Sequence, residues 1–514
     1  MNASSSFSGA GHRGLVLLAA CVVAITNPLA FTGPAVALPI IGQALEGSAV
    51  EFGWVTNAFM LTFGSCLMTA GSLADYLGRR RVFLVGVGLL FLFSLALCFA
   101  PNILVINILR AGQGIAAAAA FAGIMAALAQ EFQGPGSMRA FSLVGTSFGV
   151  GLAFGPISSG FLIDIFGWRS IFALVALLAA LAYALGTAFV RESRDPDAVG
   201  IDWKGSITFT AALALFTNAI LIAPEKGWRD VETLVYLIVS ISLFALFSVI
   251  EIRAKQPMLD LSLFRFPSFV AVQMLAAAPA YAFVVLLILL PVRFVGIDGM
   301  STLDAGWIMG VLCGPLLFLP LIASSLTRWL SAATLCGLGF IVAAAGLLWL
   351  SRWPGGEATP SLIGPLLVIG AGISLPWGLM DGLAVSVVPR ERAGMATGIF
   401  NTTRVAGEGV ALAVVSAVLS ALVTTHIKLD FPDASANAGN VAQRFVAGDL
   451  SSVQSILVNS AREAIFNSYH SAFSSLLVIL SGITLLTAVV IFVALRGSAP
   501  EIINSNRNAV DKQS

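Results

Sequence analysis

Charge is scarce in this chain. Of its 514 residues only 10% are Asp, Glu, Lys or Arg, against 58% hydrophobic, and just three are histidine. Soluble domains carry roughly a quarter charged residues, so this composition cannot present a water-facing surface all round. A formal net charge of +1 and the lack of any basic arm or block argue against nucleic acid as a partner. Cys21, Cys66, Cys98, Cys313 and Cys336 all fall inside apolar runs, with no CxxC pairing and no histidine beside them. Disulfides and metal sites are therefore not expected. His12, His426 and His470 are scattered, and no Ser–His–Asp or metal-ligand spacing emerges, so an enzyme is not expected. The pattern G-x-x-x-x-G-K-[ST] is missing too, which leaves no nucleotide site and no cofactor in prospect.

What the chain has in abundance is apolar runs of about 20 residues, long enough to cross the hydrocarbon layer as helices. Fourteen are predicted, at 14–43, 52–76, 82–100, 102–130, 138–164, 169–190, 203–223, 232–252, 267–295, 303–325, 331–350, 361–388, 393–424 and 471–496. The first, from Gly14, is too long for a signal-peptide core and reads as a span. Sorting the 27 Lys and Arg by side places 17 with the termini and 8 opposite. That excess predicts that both termini are cytoplasmic.

The layout is six, two, six. Residues 1–192 form the expected first six-helix bundle and 193–265 a pair of inserted helices with charged linkers. Residues 266–497 form the second bundle and 498–514 a cytoplasmic tail. Two similar bundles around a midplane site are a recurring transporter plan. Within the 425–470 loop, "SSVQSILVNSAREAIF" has helical apolar spacing and predicts an amphipathic helix over the outer face.

The stretch "GSLADYLGRRR", Gly71 to Arg81, packs Asp75 and three arginines between two apolar runs. Asp75 and Arg79 lie four apart, so they share a helical face, while Gly71 and Gly78 permit close approach and reversal. The stretch resembles the loop signature G-x-L-a-D-x-x-G-R-[RK] between helices 2 and 3 of the major facilitator superfamily. That resemblance implies a cytoplasmic latch between the bundles, formed by Asp75 and Arg79 with Arg80 in support. Tyr76 departs from the usual basic residue.

"RAGQGIAAA" resembles the R-x-x-Q-G pattern of helix 4, which places Arg110 inside the membrane, about 12 Å from the outer end. A guanidinium there is costly and should face protein or a wet cavity. It reads either as a tie to backbone carbonyls or as a cation that tunes acids or binds anions. The resemblance associates it with proton transfer.

"GLAFGPISSG" resembles the antiporter signature of helix 5, with Gly151, Gly155, Pro156 and Gly160 in place and Ser159 at one glycine position. Together with the helix count, "FGWRSIF", "KQPMLDLSLFR" and "RAGMATGIFNTTRVAGEG", it makes the chain similar to the fourteen-helix drug:proton antiporter branch over essentially its whole length.

That branch carries an acid midway along helix 1. Here the matching run "LAFTGPAVALP" has Ala30 in its place, so coupling must use other groups. Asp381 and Glu408 are the candidates, with Arg404 four residues before Glu408 on one helical face. An isolated carboxylate at low dielectric is costly to keep charged, which suits proton binding and release. Glu408 reads either so or as the structural partner of Arg404. Asn27, Phe31, Thr32, Tyr281 and Trp377 are candidates for a cavity taking amphipathic organic molecules.

The expectation is an all-α polytopic membrane protein of the major facilitator fold, monomeric, in the cell membrane. It would export hydrophobic or cationic organic compounds in exchange for protons by alternating access, with lipids as its surroundings. A porter for one metabolite or organic anion, paired with Arg110 and Arg404, is the alternative.

Overall fold

In lipid, backbone polar groups must be satisfied within the segment, which favours helices. Every regular element among the described residues is helical. The computed structural model describes residues 4–132, 135–194, 200, 202–254, 257, 259, 261–355, 360–380, 383–384, 387, 393–432, 437–457 and 462–495.

The first bundle comprises α1 (Ser4–Ala44), α2 (Ala49–Leu77), α3 (Arg79–Leu97), α4 (Ile103–Glu131), α5 (Pro135–Phe166) and α6 (Ser170–Phe189). The inserted pair is α7 (Trp203–Lys226) and α8 (Val231–Arg253). In the second bundle α9 (Pro267–Pro279) continues into α10 (Val285–Gly296), and α11 (Thr302–Cys313) into α12 (Leu319–Leu326). Then come α13 (Ala332–Leu350), α14 (Pro360–Trp377), α15 (Ala393–Asp430), α16 (Ala438–Val446), α17 (Leu450–Ile456) and α18 (Arg462–Leu495).

Local chemistry sets many of the ends. Ser48 and Glu51 form a reciprocal capping box at α2, and Asn102, Asp230, Ser301 and Ser331 each accept a first-turn N–H. Prolines set the interior breaks. Pro279 leads into a π-helical turn, Ala280–Val284, and Pro315 lies in a 3-10 turn, Gly314–Leu317. Both breaks sit inside predicted continuous spans.

Thirteen helices among the described residues are long and apolar enough to cross a membrane. α2, 29 residues long, is not among them, because Thr56, Asn57, Thr62 and Ser65 dilute its hydropathy. All four are buried, so the polar load of α2 faces protein rather than lipid.

The bundles meet along two seams where small residues let backbones approach. At α2–α15, a Cβ on Gly64 would collide with the backbone of Ala406. At α5–α11, a Cβ on Gly306 would lie 2.6 Å from the Pro156 carbonyl, and Thr302 donates to the Gly160 carbonyl at 3.3 Å. The inserted α7 docks over the first seam. Leu213 packs with Leu61 and Ala406, and Trp54 donates to Asn218 at 3.2 Å.

The segment between the last two crossings differs from expectation. The predicted amphipathic helix is divided: Leu450–Ile456 is helical alone, while Arg462–Leu495 is one helix, so "REAIF" belongs to the last crossing. The stretch before it holds α16. Its Val441, Ala442 and Phe445 are buried, and Phe445 stacks on Tyr469 at 5.1 Å. The apolar sides of α16 and α17 are thus turned into the protein, with Val453 of α17 also buried.

Candidate functional site

Arg110 is fully buried on α4. It donates from Nε to the Val55 carbonyl at 2.7 Å, and from Nη1 to the Ala30 carbonyl at 2.7 Å and to Gln113 at 2.5 Å. Its guanidinium lies 4.6 Å from the Phe59 ring centroid. Gln113 passes the chain on to Ser94 at 2.8 Å. Arg110 thus ties α1, α2 and α4 together through backbone oxygens, and Nη2 alone lacks a partner among the described residues. The carbonyl it uses on α1 belongs to Ala30, the position where the resembling branch carries its acid.

At the α2–α3 turn, Arg79 donates to Asp75 at 2.9 and 3.0 Å and to Gln130 of α4 at 2.9 Å. Glu192 accepts from the Arg80 backbone N–H at 3.2 Å and pairs with Arg81 at 3.6 Å, while Arg80 donates to the Thr187 carbonyl at 2.8 Å. Gly78 has φ +116°, and a Cβ there would lie 2.6 Å from the Glu192 carboxylate. Gly71 is different: nothing lies within 4 Å of a Cβ placed there, so the close approach expected of it is not made. Its side-chain partners among the described residues lie in the first bundle, and the Ser193 carbonyl just beyond it accepts the Arg79 backbone N–H at 2.8 Å. Glu192 and Gln130 are additions that the linear motif does not reveal, since Glu192 lies 112 residues from Arg80.

The α5 glycines serve two neighbours. A Cβ on Gly151 would lie 2.6 Å from the Ile25 carbonyl, and one on Gly155 would strike the Thr32 hydroxyl, both on α1. Gly160 faces Thr302 of α11 across the seam. Pro156 sits inside a continuous helix between these contacts.

Between the bundles lies an aromatic cluster with one cation and one acid beside it. Trp377 at the end of α14 packs against Phe148 of α5 at 6.5 Å and Phe283 of the π turn at 6.2 Å. Arg404 on α15 lies 6.0 Å from the Trp377 centroid and 5.7 Å from that of Phe400, and donates to Asn401 at 2.7 Å. Glu408, one turn further along α15, is buried with neither hydrogen bond nor ion pair among the described residues. The Arg404–Glu408 pair that spacing allows is not formed.

Asp381 lies outside the described residues. Of the cavity candidates, Trp377 joins this cluster, and the Tyr281 hydroxyl bonds Thr487 on α18. Phe31 is buried, and Thr32 returns its hydroxyl to the Pro28 carbonyl at 2.8 Å. Asn27 is buried with both amide atoms unpartnered among the described residues. Phe148 carries no linear signal that marks it, because only the packing of the bundles brings it to Trp377.

A second charged cluster matches no motif in the sequence. Arg293 is buried at the end of α10, 3.3 Å from Asp298 and 3.2 Å from His470, with Trp353 and Phe473 on its faces at 4.5 and 4.6 Å. It anchors α10 to α18 near the face opposite the termini.

A family model described as Major Facilitator Superfamily matches residues 20–412. The chain is 31% identical over 404 residues to "Multidrug resistance protein Stp" of Mycobacterium tuberculosis, covering 77% of this chain and 75% of the relative. It is 27% identical over 453 residues to the "Tetracenomycin C resistance and export protein" of Streptomyces glaucescens, covering 85% and 81%. Among solved structures, a bacterial homolog of the human lysosomal transporter Spinster, inward-facing and occupied, superposes with TM-score 0.64 at 16% identity, covering 94% of this chain and 97% of that one. At that identity the likeness concerns the fold alone.

Proposed function

Since this chain belongs to the Major Facilitator Superfamily, we propose that it is a secondary transporter that exports hydrophobic or cationic drug-like compounds, driven by inward proton movement. The relatives named as drug resistance and export proteins support the direction and the substrate class. The termini are assigned to the cytoplasm and the protein to the cell membrane as a monomer. Its working parts are the bundles 1–192 and 266–497, flanking the inserted pair 193–265 and rocking about the α2–α15 and α5–α11 seams.

The observation that carries proton coupling is Glu408, a buried carboxylate on α15 with no partner among the described residues, one turn from Arg404 and the Trp377 cluster. Burying a lone carboxylate as an anion is expensive, so a proton or a cationic substrate is the natural counter-species. Arg404, held over aromatic faces, adjusts the cost of each exchange, and Asp381 is a second candidate acid. Arg110 is engaged by two carbonyls and Gln113, which favours a joining role for it and disfavours an anion site there. The Asp75–Arg79–Glu192 network is assigned to the cytoplasmic gate.

Glu408→Gln tests this reading. The variant should express and bind a hydrophobic cation such as tetraphenylphosphonium more weakly, and substrate-induced proton release from everted vesicles should fall at least about tenfold, as expected for loss of an essential proton carrier. Unchanged proton release with unchanged binding would remove Glu408 from the mechanism.

A further inference from the structure

Buried polar atoms are normally hydrogen-bonded, and each exception asks for an explanation. Four exceptions in this molecule share one place. The Thr56 hydroxyl and Asn57 carbonyl oxygen of α2, the Ser420 hydroxyl of α15 and the Gln443 amide nitrogen of α16 are buried with no partner among the described residues. All four residues line a single cavity. Asn57 and Thr56 are 1% and 2% exposed, Ser420 3% and Gln443 8%.

The cavity lies well away from the aromatic cluster. Ser420 is twelve residues beyond Glu408 on the same helix, about 18 Å along its axis at 1.5 Å per residue. Thr56 is seven residues from the start of α2, about 10 Å from the face opposite the termini. Both bundles contribute, through α1, α2, α10 and α15, and so do the inserted α7 by Leu221 and the short α16 by Gln443 and Val446. The first of the two helices between the last crossings, α16, thus supplies one wall of a chamber.

No charged residue lines this chamber. Its unpartnered buried atoms are one amide donor, one carbonyl acceptor and two hydroxyls that serve as either, and Ser416 adds a third hydroxyl to a lining of aliphatic side chains such as Leu289 and Val292. A cation would lose its hydration there with no counter-charge, whereas an uncharged molecule with both hydrogen-bond donors and acceptors matches every open atom.

We propose that this chamber is a second binding site, on the exit side, for uncharged amphipathic organic molecules bearing hydroxyl or amide groups, with Gln443 of α16 closing over the ligand. It rests on the reading of the chain as an exporter only for its place on the path; the binding itself stands apart. Neutral substrates would pause here after leaving the region of Glu408, while cations would pass without hydrogen bonding.

The test is equilibrium binding of two probes to the full-length protein in nanodiscs: radiolabelled chloramphenicol, which is uncharged and carries two hydroxyls and an amide, and tetraphenylphosphonium, which has no hydrogen-bonding group. Thr56→Val, Asn57→Leu and Gln443→Leu should each weaken chloramphenicol binding roughly 3- to 10-fold, the range for one lost neutral hydrogen bond, and leave tetraphenylphosphonium unchanged. Glu408→Gln should do the reverse. In a Ser420→Cys variant, saturating chloramphenicol should slow maleimide labelling at that position, and tetraphenylphosphonium should not.

Chloramphenicol affinity unmoved in all three variants, or labelling unprotected at saturation, would overturn the proposal. Thr56→Val preserves side-chain shape and keeps the test decisive should the two leucine variants fail to assemble. If Glu408→Gln leaves cation binding intact while the three variants lose chloramphenicol, the coupling role of Glu408 fails and the chamber stands.

Discussion

Gly78 shows how much one position carries. It joins α2 to α3 at φ +116°, where a side chain is strained, and a Cβ would push into the Glu192 carboxylate. Gly78→Ala should therefore cost about 1–3 kcal/mol of local strain and disturb Glu192, lowering turnover severalfold with substrate affinity nearly intact; unaltered turnover would contradict the gate assignment. Sequence made the Asp75–Arg79 pair legible because helical spacing is local. It did not make Glu192 legible, for the partner arrives from the end of α6 and only the folded bundle brings it there. Ala30 was conspicuous as a missing acid. That its carbonyl would receive Arg110 is invisible in sequence, since backbone acceptors carry no residue signature.

The elements followed their apolar runs closely, and where they did not, polar or proline chemistry explains the difference. The π turn after Pro279 and the 3-10 turn at Pro315 interrupt spans that hydropathy alone reads as continuous. At the α5–α11 seam, Gly306→Val would place new atoms against the Pro156 carbonyl and hold the helices apart, an overpacking cost of about 1–3 kcal/mol. Turnover should fall roughly tenfold while Gly306→Ala falls less; equal, normal rates in both would show that the seam does not close during transport.

The short α17 offers a pH test at the same scale. Asp449 caps it, accepting from the Ser452 N–H at 3.0 Å and the Ser451 hydroxyl at 2.7 Å, with Arg444 at 3.2 Å. Partial burial pushes its carboxyl up, but those hydrogen bonds and Arg444 outweigh it and hold it below the ordinary carboxylate range. A depressed value means that the stabilisation is present above the unfolded value, about 3.9, and is lost as pH falls through the folded one. Amide protection across 450–456, corrected for intrinsic rates, should stay level from about pH 8 to 5 and drop only in stronger acid. A drop near neutrality would assign the pH response of this segment to another group.

For the whole molecule, an all-helical membrane protein was legible from the spacing of apolar runs, and motif resemblance pointed to the superfamily. The docking of α7 over the α2–α15 seam was not, because an inserted helix has a lipid-grade sequence whichever surface it meets. Nor was the chamber beneath α16, whose walls come from six separate stretches of chain. The central claim is that proton movement through the buried acid of the second bundle drives export between two rocking bundles. Fluorescent-cation efflux from energised vesicles, followed before and after a protonophore and repeated with Glu408→Gln, tests it most directly. The account predicts efflux against a gradient that collapses on protonophore addition and is already lost in the variant. Undiminished efflux after the proton gradient is dissipated would contradict it.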